Sequence, residues 1–372
     1  MLALRDGHRS GADVSDRLTR LLGIELPIVL APFGGLSSVE LTATVSNAGG
    51  LGSYGLYGYA SDRIRDTITS LRAATTRPFA LNLWLPTGTE RGPTPEEYAH
   101  ARAAAAEFFT ELSLPLPDPP TRYLPSFEEQ IDAVLALAPA VLSFVYGVPP
   151  AHVIARARDR GIVVIGTATT VDEAVALQAG GVDAIVATGA EAAGHRVSFL
   201  RAPEDSLVGT LPLVPQVVDA VAVPVIAAGG IADRRGVAAA LALGADGVQV
   251  GTAFLRTRQS AANDAHRHAI AATPAHGTVL TRAMSGRLAR GAPTQAIRAI
   301  EAAGAIAPFP AQNWLTGQFR AEAARRGAGE MQSLWLGQAA PLARLDDAVA
   351  VLAELRCGIP AEGGQSSSPD GR

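Results

Sequence analysis

One histidine of the chain stands where it could act as a base. His195 lies in the stretch GAEAAGHRVSFL, directly after the apolar run DAIVATG. A neutral imidazole beside a buried strand can accept a proton from a substrate, whereas a histidine in an ordinary loop is merely solvated. Glu191 is an alternative base in the same stretch or else a solvated carboxylate, and Arg196 could hold an anion or be a surface or structural arginine. The dipeptide Gly-His alone does not decide between these interpretations.

Two glycine-rich strand ends could hold a phosphate. The run VPVIAAGGI ends in Gly229 and Gly230, and GVQVGTAF contains Gly251 and Thr252. Glycine lets the backbone approach an anion closely, and backbone N–H groups at the start of a helix bind phosphate oxygens. The alternative is that both stretches are tight strand-to-helix turns. Their position after the last two strands of the predicted fold favours the phosphate interpretation.

The absence of lysine removes several kinds of chemistry. All 31 Lys+Arg residues are arginine. Schiff-base aldolases, pyridoxal-phosphate enzymes and Walker-type phosphate loops need a lysine amine, so these classes are excluded. A bound phosphate would depend on backbone N–H groups, the Thr252 hydroxyl and an arginine.

A second glycine motif is better explained by close packing of the backbone than by nucleotide binding. Gly50, Gly52 and Gly55 in GGLGSYG match GxGxxG. A dinucleotide fingerprint follows a strand and opens a helix, whereas these glycines follow a helical pattern and occupy the second strand themselves. We expect them to end the first helix and to let the strand pack closely.

Composition points to a globular protein with a small-molecule ligand. The 372 residues are 48% hydrophobic, and the net charge is −4 without basic clusters, so we expect neither nucleic acid nor a membrane as partner. The single cysteine, Cys357, cannot form an internal disulfide. No apolar signal segment or membrane span is evident, which predicts a cytoplasmic protein, and a homo-oligomer stays open. We predict no metal site, and His266 and His268 are interpreted as solvent-facing.

Short apolar runs alternate with helical patterns along the chain. A strand followed by a helix, repeated eight times, favours a closed (β/α)8 barrel over an open doubly wound sheet. The eighth helix is predicted at 345–358. The strands are predicted at 27–31, 50–55, 79–85, 140–146, 162–168, 183–189, 223–230 and 247–251.

Two insertions interrupt this α/β pattern, after strands 3 and 8. Residues 86–125 form a proline-rich frame around one helix, and residues 256–340 are polar and glycine-rich. Both emerge at the C-terminal face, where barrel enzymes build their active sites, so each is a lid or substrate wall, or else an oligomer contact. The barrel would comprise 15–255 plus 341–358, and the tail 359–372 is predicted to be disordered.

An ordered set of motifs resembles the flavin-dependent nitronate monooxygenase family, also called 2-nitropropane dioxygenases. The motifs are PIVLAPFGG, AGGLGSYG, LNLW, GAEAAGHR, PVIAAGGI, GVQVGTAF, TRAMSGRLAR and LWLGQAA. The resemblance covers roughly residues 20 to 355 and is more specific than any single motif. It implies an FMN-binding TIM barrel that oxidises alkyl nitronates or nitroalkanes with O2 to a carbonyl compound and nitrite.

The resemblance also implies roles for individual residues. His195 would be the general base on the substrate α-carbon, or would orient the bound nitronate. Asn82 would contact the flavin, and Thr188 with the backbone of Ala193 and Gly194 would flank its ring. The ribityl chain and phosphate would be held by Gly229, Gly230, Gln249, Gly251 and Thr252.

Departures from the family pattern leave the substrate open. Ala193 and Val197 replace glycines, Phe33 stands at a methionine position beside the cofactor, and Thr188 replaces a glutamine. One alternative is an NAD(P)H-dependent enoyl-thioester or quinone reductase on the same flavin barrel. Another is a non-catalytic flavin-barrel partner protein with a degenerate site.

Overall fold

Eight parallel strands form a closed barrel, as predicted. A computed structural model of the chain describes residues 11–88 and 90–360. The barrel closes where Leu30 N donates to Leu51 O and Leu51 N donates to Ile28 O, each at 2.9 Å. In chain order the barrel strands are β1 (Ile28–Leu30), β2 (Gly52–Gly55), β3 (Phe79–Trp84), β4 (Val141–Val145), β5 (Val163–Ala168), β6 (Ala184–Thr188), β8 (Val225–Ala228) and β9 (Gly247–Val250).

Helices cover the outside of the barrel, and polar side chains cap the N-termini of five of the eight. The Ser126 hydroxyl accepts from Glu129 N, and the Glu129 carboxylate accepts from Ser126 N, which closes a capping box. The predicted eighth helix lies at Ala348–Arg356. The barrel helices are α2 (Val39–Asn47), α3 (Ser61–Ala74), α5 (Phe127–Leu137), α6 (Ala151–Arg158), α7 (Val171–Ala179), α8 (Thr210–Ala220), α9 (Arg234–Ala242) and α14 (Ala348–Arg356).

An additional helix, α1 (Gly11–Leu22), closes the floor of the barrel. The sequence analysis assigned no helix to this segment. Leu18 and Leu22 pack among the residues that fill the barrel interior, and Arg17 donates to Ala222 O at 2.6 Å. A Cβ at position 247 would lie 2.4 Å from Leu18 Cδ2, so Gly247 is what lets the helix approach the strands.

The two insertions pack together into one layer, which we call the cap (residues 86–125 and 256–340). Three of its helices share an apolar core separate from the barrel core, in which Phe319 contacts Phe108 and Phe109 at ring-centroid distances of 5.3 and 5.7 Å. A small sheet, ordered β10-β11-β7, joins the cap to the segment after β6. The elements are α4 (Pro95–Glu111), α11 (Asp264–Ala272), β10 (Val279–Thr281), β11 (Ala289–Gly291), α12 (Gln295–Ala303), α13 (Ala311–Arg325) and the short strand β7 (Gly194–His195).

The glycines of the GxGxxG match allow close packing of β2, as expected. A Cβ on Gly52 would lie 2.0 Å from Thr42 O, and one on Gly50 would lie 2.9 Å from Ile28 O. The strand can therefore sit against α2 and β1 only with glycine at these positions.

The interpretation of His266 as solvent-facing is wrong. It is buried at 2% exposure, and its Nε2 lies 2.8 Å from Trp335 O, because α11 turns this face toward the rest of the cap. His268 is exposed, as expected.

Within residues 11–88 and 90–360, no three His, Cys, Asp or Glu side chains converge to hold a metal ion. Over the same residues, no helix combines the length and apolar character needed to cross a bilayer. The predicted disordered tail lies, from residue 361 onward, outside the described residues.

Candidate active site

A cavity of about 450 Å³ opens at the C-terminal ends of the barrel strands, beneath the cap. This is where active sites of (β/α)8 enzymes are found, and the volume is typical of small-molecule sites. Every residue that the sequence placed at the site lines this cavity: Phe33, Asn82, Thr188, Ala193, Gly194, His195, Gly229, Gly230, Gln249, Gly251 and Thr252.

One wall of the cavity consists largely of backbone. Gly229 and Gly230 follow β8 with φ of +99° and +73°, a conformation that favours glycine. A Cβ on Gly229 would lie 3.0 Å from Thr210 Oγ1 and 3.2 Å from Ala192 N. We call this region, completed by Gly251 and Thr252, the glycine wall. Peptide groups here can approach a ligand without intervening side chains.

Thr252 begins the short helix α10 (Thr252–Leu255) directly after β9. Its Oγ1 accepts a hydrogen bond from Gly337 N at 3.1 Å. The hydroxyl is therefore oriented by a backbone donor, which leaves its own hydrogen for an acceptor such as a phosphate oxygen.

Asn82 is buried at 3% exposure on β3 and bridges to the neighbouring strand. Its Nδ2 donates to Ser143 O at 3.2 Å and to Ser143 Oγ at 3.0 Å. These bonds fix the plane of the carboxamide at the end of the barrel. Asn82 thus ties β3 to β4 and also lines the cavity.

His195 lies in the short strand β7 rather than in a free loop. It pairs with Ala289 of β11, so a cap strand fixes its backbone, and the preceding Gly194 has a φ of +72°. The imidazole Nε2 lies 2.8 Å from Ser285 Oγ. Ser285 Oγ is also 3.1 Å from Arg287 O, which can accept its only hydrogen. His195 Nε2 then carries the proton, and Nδ1 has the free lone pair.

The electrostatic surroundings keep His195 neutral. Burial, reinforced by the positive charges of Arg287 and Arg320, lowers the pKa of His195 to about 3. The pKa of His195 therefore lies well below the ordinary range of histidine. At neutral pH the ring is a proton acceptor that becomes cationic only beside a new negative charge.

Aromatic rings from both the barrel and the cap surround His195. The Trp84 ring meets the imidazole edge-on at 4.9 Å, and the Trp335 ring lies 5.6 Å away on another side. Tyr57 and Phe309 pack on Trp84 at 4.4 and 6.0 Å. We call this region the aromatic chamber. It is a compact apolar space in which charges interact strongly because water is largely excluded.

Comparison with known proteins identifies the family. The model of the family described as nitronate monooxygenase matches residues 15–356 of the chain. The chain belongs to the nitronate monooxygenase family. It is therefore a flavin-dependent oxidoreductase.

Relatives within the nitronate monooxygenase family cover nearly the whole chain. A probable nitronate monooxygenase of Staphylococcus saprophyticus is 40% identical over 328 residues, covering 87% of this chain and 92% of that protein. The structure of a nitroalkane oxidase from Streptomyces ansochromogenes has a TM-score of 0.84 and 36% identity, covering 92% of this chain and 97% of its own. FabK from Thermotoga maritima is also similar, with a TM-score of 0.71 and 29% identity over 91% of this chain and 94% of its own.

Two charged residues near the site have structural roles in this member of the nitronate monooxygenase family. Arg196 is 1% exposed and donates to Gly189 O at 2.7 Å and to Thr188 O at 3.2 Å, which confirms the structural interpretation. Glu191 accepts hydrogen bonds from the backbone and the hydroxyl of Thr210 at 2.9 Å each. The sequence analysis expected Glu191 to be a solvated side chain or an alternative base; it is instead half-buried and fastens the start of α8.

Sequence reasoning missed several side chains that line the nitronate monooxygenase cavity or lie directly behind its lining. Trp84, Trp335, Ser285 and Arg287 stand within the quoted motifs LNLW, LWLGQAA and TRAMSGRLAR, which could have drawn attention to them. Arg320 carried no such signal, because it stands in an ordinary helical stretch of the second insertion.

Proposed function

We propose that this protein is an FMN-dependent enzyme that oxidises alkyl nitronates and nitroalkanes with O2 to a carbonyl compound and nitrite. The observation that most strongly supports this proposal is that the neutral, oriented imidazole of His195 and the glycine wall line one cavity in a chain of the nitronate monooxygenase family. The small aromatic chamber beside His195 fits a compact substrate with an apolar side.

FMN is supported by the character of the glycine wall. Its positive-φ glycines and the oriented Thr252 hydroxyl offer hydrogen-bond donors without a lysine, as the sequence requires of a phosphate site. We propose that Gly229, Gly230, Gln249, Gly251 and Thr252 hold the ribityl phosphate end. The ring would lie against Phe33, Asn82, Thr188, Ala193 and Gly194.

His195 is proposed to remove a proton from the α-carbon of a neutral nitroalkane. The C–H next to a nitro group is acidic, and the bonding pair moves into the nitro group to give a nitronate anion. The acceptor atom is Nδ1, since Nε2 is engaged with Ser285. The low pKa of His195 keeps the base free at neutral pH, and the adjacent nitronate charge stabilises the imidazolium once formed.

When bound, FMN supplies the redox chemistry, taking up electrons from the nitronate and passing them to O2. The chain contributes position and exclusion of water. Trp84 and Trp335 restrict the imidazole from two sides, so the base and the substrate meet in one orientation.

The decisive experiment mixes the anaerobic holoenzyme with ethyl nitronate, and separately with NADPH and NADH, while flavin absorbance is followed. We expect prompt bleaching by the nitronate and none by the nucleotides. Bleaching by the nucleotides alone would overturn the proposal. It would favour instead the NAD(P)H-dependent reductase that the sequence left as an alternative. A purified chain that binds no FMN would contradict every enzymatic interpretation.

Replacing His195 by asparagine tests its role as base. We expect kcat/KM for neutral nitroethane to fall by roughly 10²- to 10⁴-fold, the usual contribution of a general base, with ethyl nitronate oxidised nearly as before. Oxygen uptake measures both rates. The exposed His268→Asn variant serves as the matched control. Equal losses on both substrates would show that His195 orients the substrate rather than deprotonates it.

A further inference from the structure

Arg320 brings a positive charge to the inner wall of the cavity. It projects from α13 and lines both the main cavity and a neighbouring cavity of about 530 Å³. Its hydrogen-bond partners are neutral: NH2 donates to Asn313 Oδ1 at 2.8 Å and to Asn313 O at 3.0 Å, and NH1 donates to Ser333 Oγ at 2.7 Å. Both ends of the guanidinium are held in place without any neutralising charge.

The cavity around Arg320 lacks a balancing carboxylate. Among the described residues, no carboxylate lies within 4.0 Å of its guanidinium, whereas Arg287 nearby is paired with Glu90. Glu191 is the acidic residue that lines the described part of the cavity, and Thr210 donors already engage it. Burial lowers the pKa of Arg320 to about 10, which still leaves it charged at neutral pH. Such a buried cation is costly unless an anion joins it.

A chain of contacts connects Arg320 to the reacting region. Asn313, held by Arg320, donates through Nδ2 to the Tyr57 hydroxyl at 3.0 Å. The Tyr57 ring packs on Trp84 at 4.4 Å, and Trp84 meets His195 at 4.9 Å. The charge of Arg320 also contributes to the lowered pKa of His195, so its field reaches the place where a proton would be removed.

We propose that Arg320 is the anion-binding residue of the aromatic chamber and makes it select the charged nitronate over the neutral nitroalkane of the same shape. A nitronate carries its negative charge on two oxygens of one planar nitrogen, and the guanidinium N–H groups that Ser333 and Asn313 do not engage, the Nε–H and one on NH1, can donate to such oxygens. The inference rests on the proposed function for the identity of the substrate. It does not depend on turnover for its test.

The first test measures binding of nitrate, a planar oxyanion that the enzyme cannot oxidise. The FMN-loaded protein is titrated at constant ionic strength, with flavin absorbance and tryptophan fluorescence as readouts, since Trp84 and Trp335 line the chamber. We expect Arg320→Gln to weaken nitrate binding by roughly 10- to 100-fold, the effect of losing a charge-assisted hydrogen bond. Arg325→Gln is the matched control, because Arg325 lies on the same helix and its side chain is 74% exposed.

Arg320→Lys keeps the charge and loses the planar fork, so it should bind nitrate with intermediate affinity. Unchanged nitrate binding by the glutamine variant, an equal loss in the Arg325 variant, or no nitrate binding by the parent would each overturn the proposal. So would a lysine variant that binds as weakly as the glutamine variant. Flavin content and thermal unfolding of each variant exclude a folding defect as the cause.

Kinetics give a second, independent readout. Arg320→Gln should lower kcat/KM for ethyl nitronate by the same factor as nitrate affinity, with a much smaller effect on KM for neutral nitroethane. Removal of the positive charge should also raise the pKa of His195, which moves the acidic limb of the nitroethane profile to higher pH. If nitrate binds through Arg320 but no nitronate is oxidised, the anion site stands and the proposed function fails.

Discussion

The two sides of the cavity are lined by different kinds of residue. The barrel side presents glycines and strand-end polar groups, with φ of +99° and +73° at Gly229 and Gly230. The cap side presents Trp335 and the guanidinium group of Arg320, and Phe309 of the cap packs on Trp84 of β3. This difference indicates that the barrel is suited to binding the cofactor, whereas the inserted segments of the cap can determine which substrate binds.

His195 stands at the junction of the two sides. Its segment leaves the barrel after β6, yet β11 of the cap pairs with it and Ser285 of the cap fixes its ring. A change on the barrel side should therefore affect cofactor retention first, and a change on the cap side should affect proton transfer or substrate choice first.

Among the substitutions that separate the roles of the barrel side and the cap side, Gly229→Ala is expected to have the largest effect, on FMN affinity. Alanine at φ +99° is strained, and its Cβ would lie 3.0 Å from Thr210 Oγ1, so the glycine wall must shift. A cost of about 1–3 kcal/mol at the proposed phosphate site corresponds to roughly 5- to 150-fold weaker FMN binding. Equilibrium dialysis or flavin fluorescence measures the FMN affinity.

Gly304→Ala is the control for this prediction. Gly304 also has positive φ, +63°, but it caps α12 in the cap and a Cβ there would meet nothing within 4 Å. It should lower stability by about 1 kcal/mol and leave FMN binding unchanged. If both variants retained FMN equally well, the glycine wall would not be the cofactor site.

The barrel side was predictable from sequence because its signals are local. Most strands are short apolar runs, most barrel helices begin at a capping residue, and Gly229, Gly230 and Gly251 stand directly at strand ends. The order of these elements then determines which residues meet at the C-terminal face. All the predicted site residues consequently line one cavity.

The cap side was not predictable because its contacts are distant in sequence. Glu90 and Arg287 pair across 197 positions, and His195 and Ser285 across 90. His266 looked like an exposed helix residue, since nothing local indicates that Trp335 O would accept its proton or cover it. The pKa of His195 depends on Arg287 and Arg320, so its value required the assembled site.

A smaller effect is expected from Ser285→Ala, which removes the partner of His195 Nε2. The ring could then adopt either tautomer, and we expect kcat/KM for neutral nitroethane to fall by about tenfold while ethyl nitronate oxidation changes little. Nitrogen-15 NMR of the labelled imidazole should show loss of the single Nε2-protonated form. Ser206→Ala, which removes another buried serine hydroxyl, should change neither readout. An unaltered tautomer would show that Ser285 does not position the base.

The smallest effect is expected from Glu90→Gln, which breaks the ion pair that links the two insertions within the cap. The Arg287 and Glu90 side chains are 12% and 24% exposed, and Arg287 also packs over Phe309 at 3.8 Å. We expect a loss of about 1 kcal/mol in the free energy of unfolding at pH 7, measured by denaturant titration. Glu204→Gln, which breaks the more exposed pair of Glu204 with Arg282, should cost less.

The pH dependence of the stability lost in Glu90→Gln tests whether the charge of the Glu90 carboxylate is responsible for it. Burial opposes ionisation of Glu90, but hydrogen bonds from Thr87 and the charge of Arg287 outweigh it and hold the pKa of Glu90 below its ordinary value. A carboxyl with a depressed pKa stabilises the fold fully above its unfolded pKa, about 4.3, and loses that contribution as the pH falls through its folded pKa. The difference between parent and Glu90→Gln should therefore be constant from pH 8 to 6 and shrink below pH 4. A difference that persists at low pH would mean that Glu90 stabilises the cap through packing and neutral hydrogen bonds rather than through its charge.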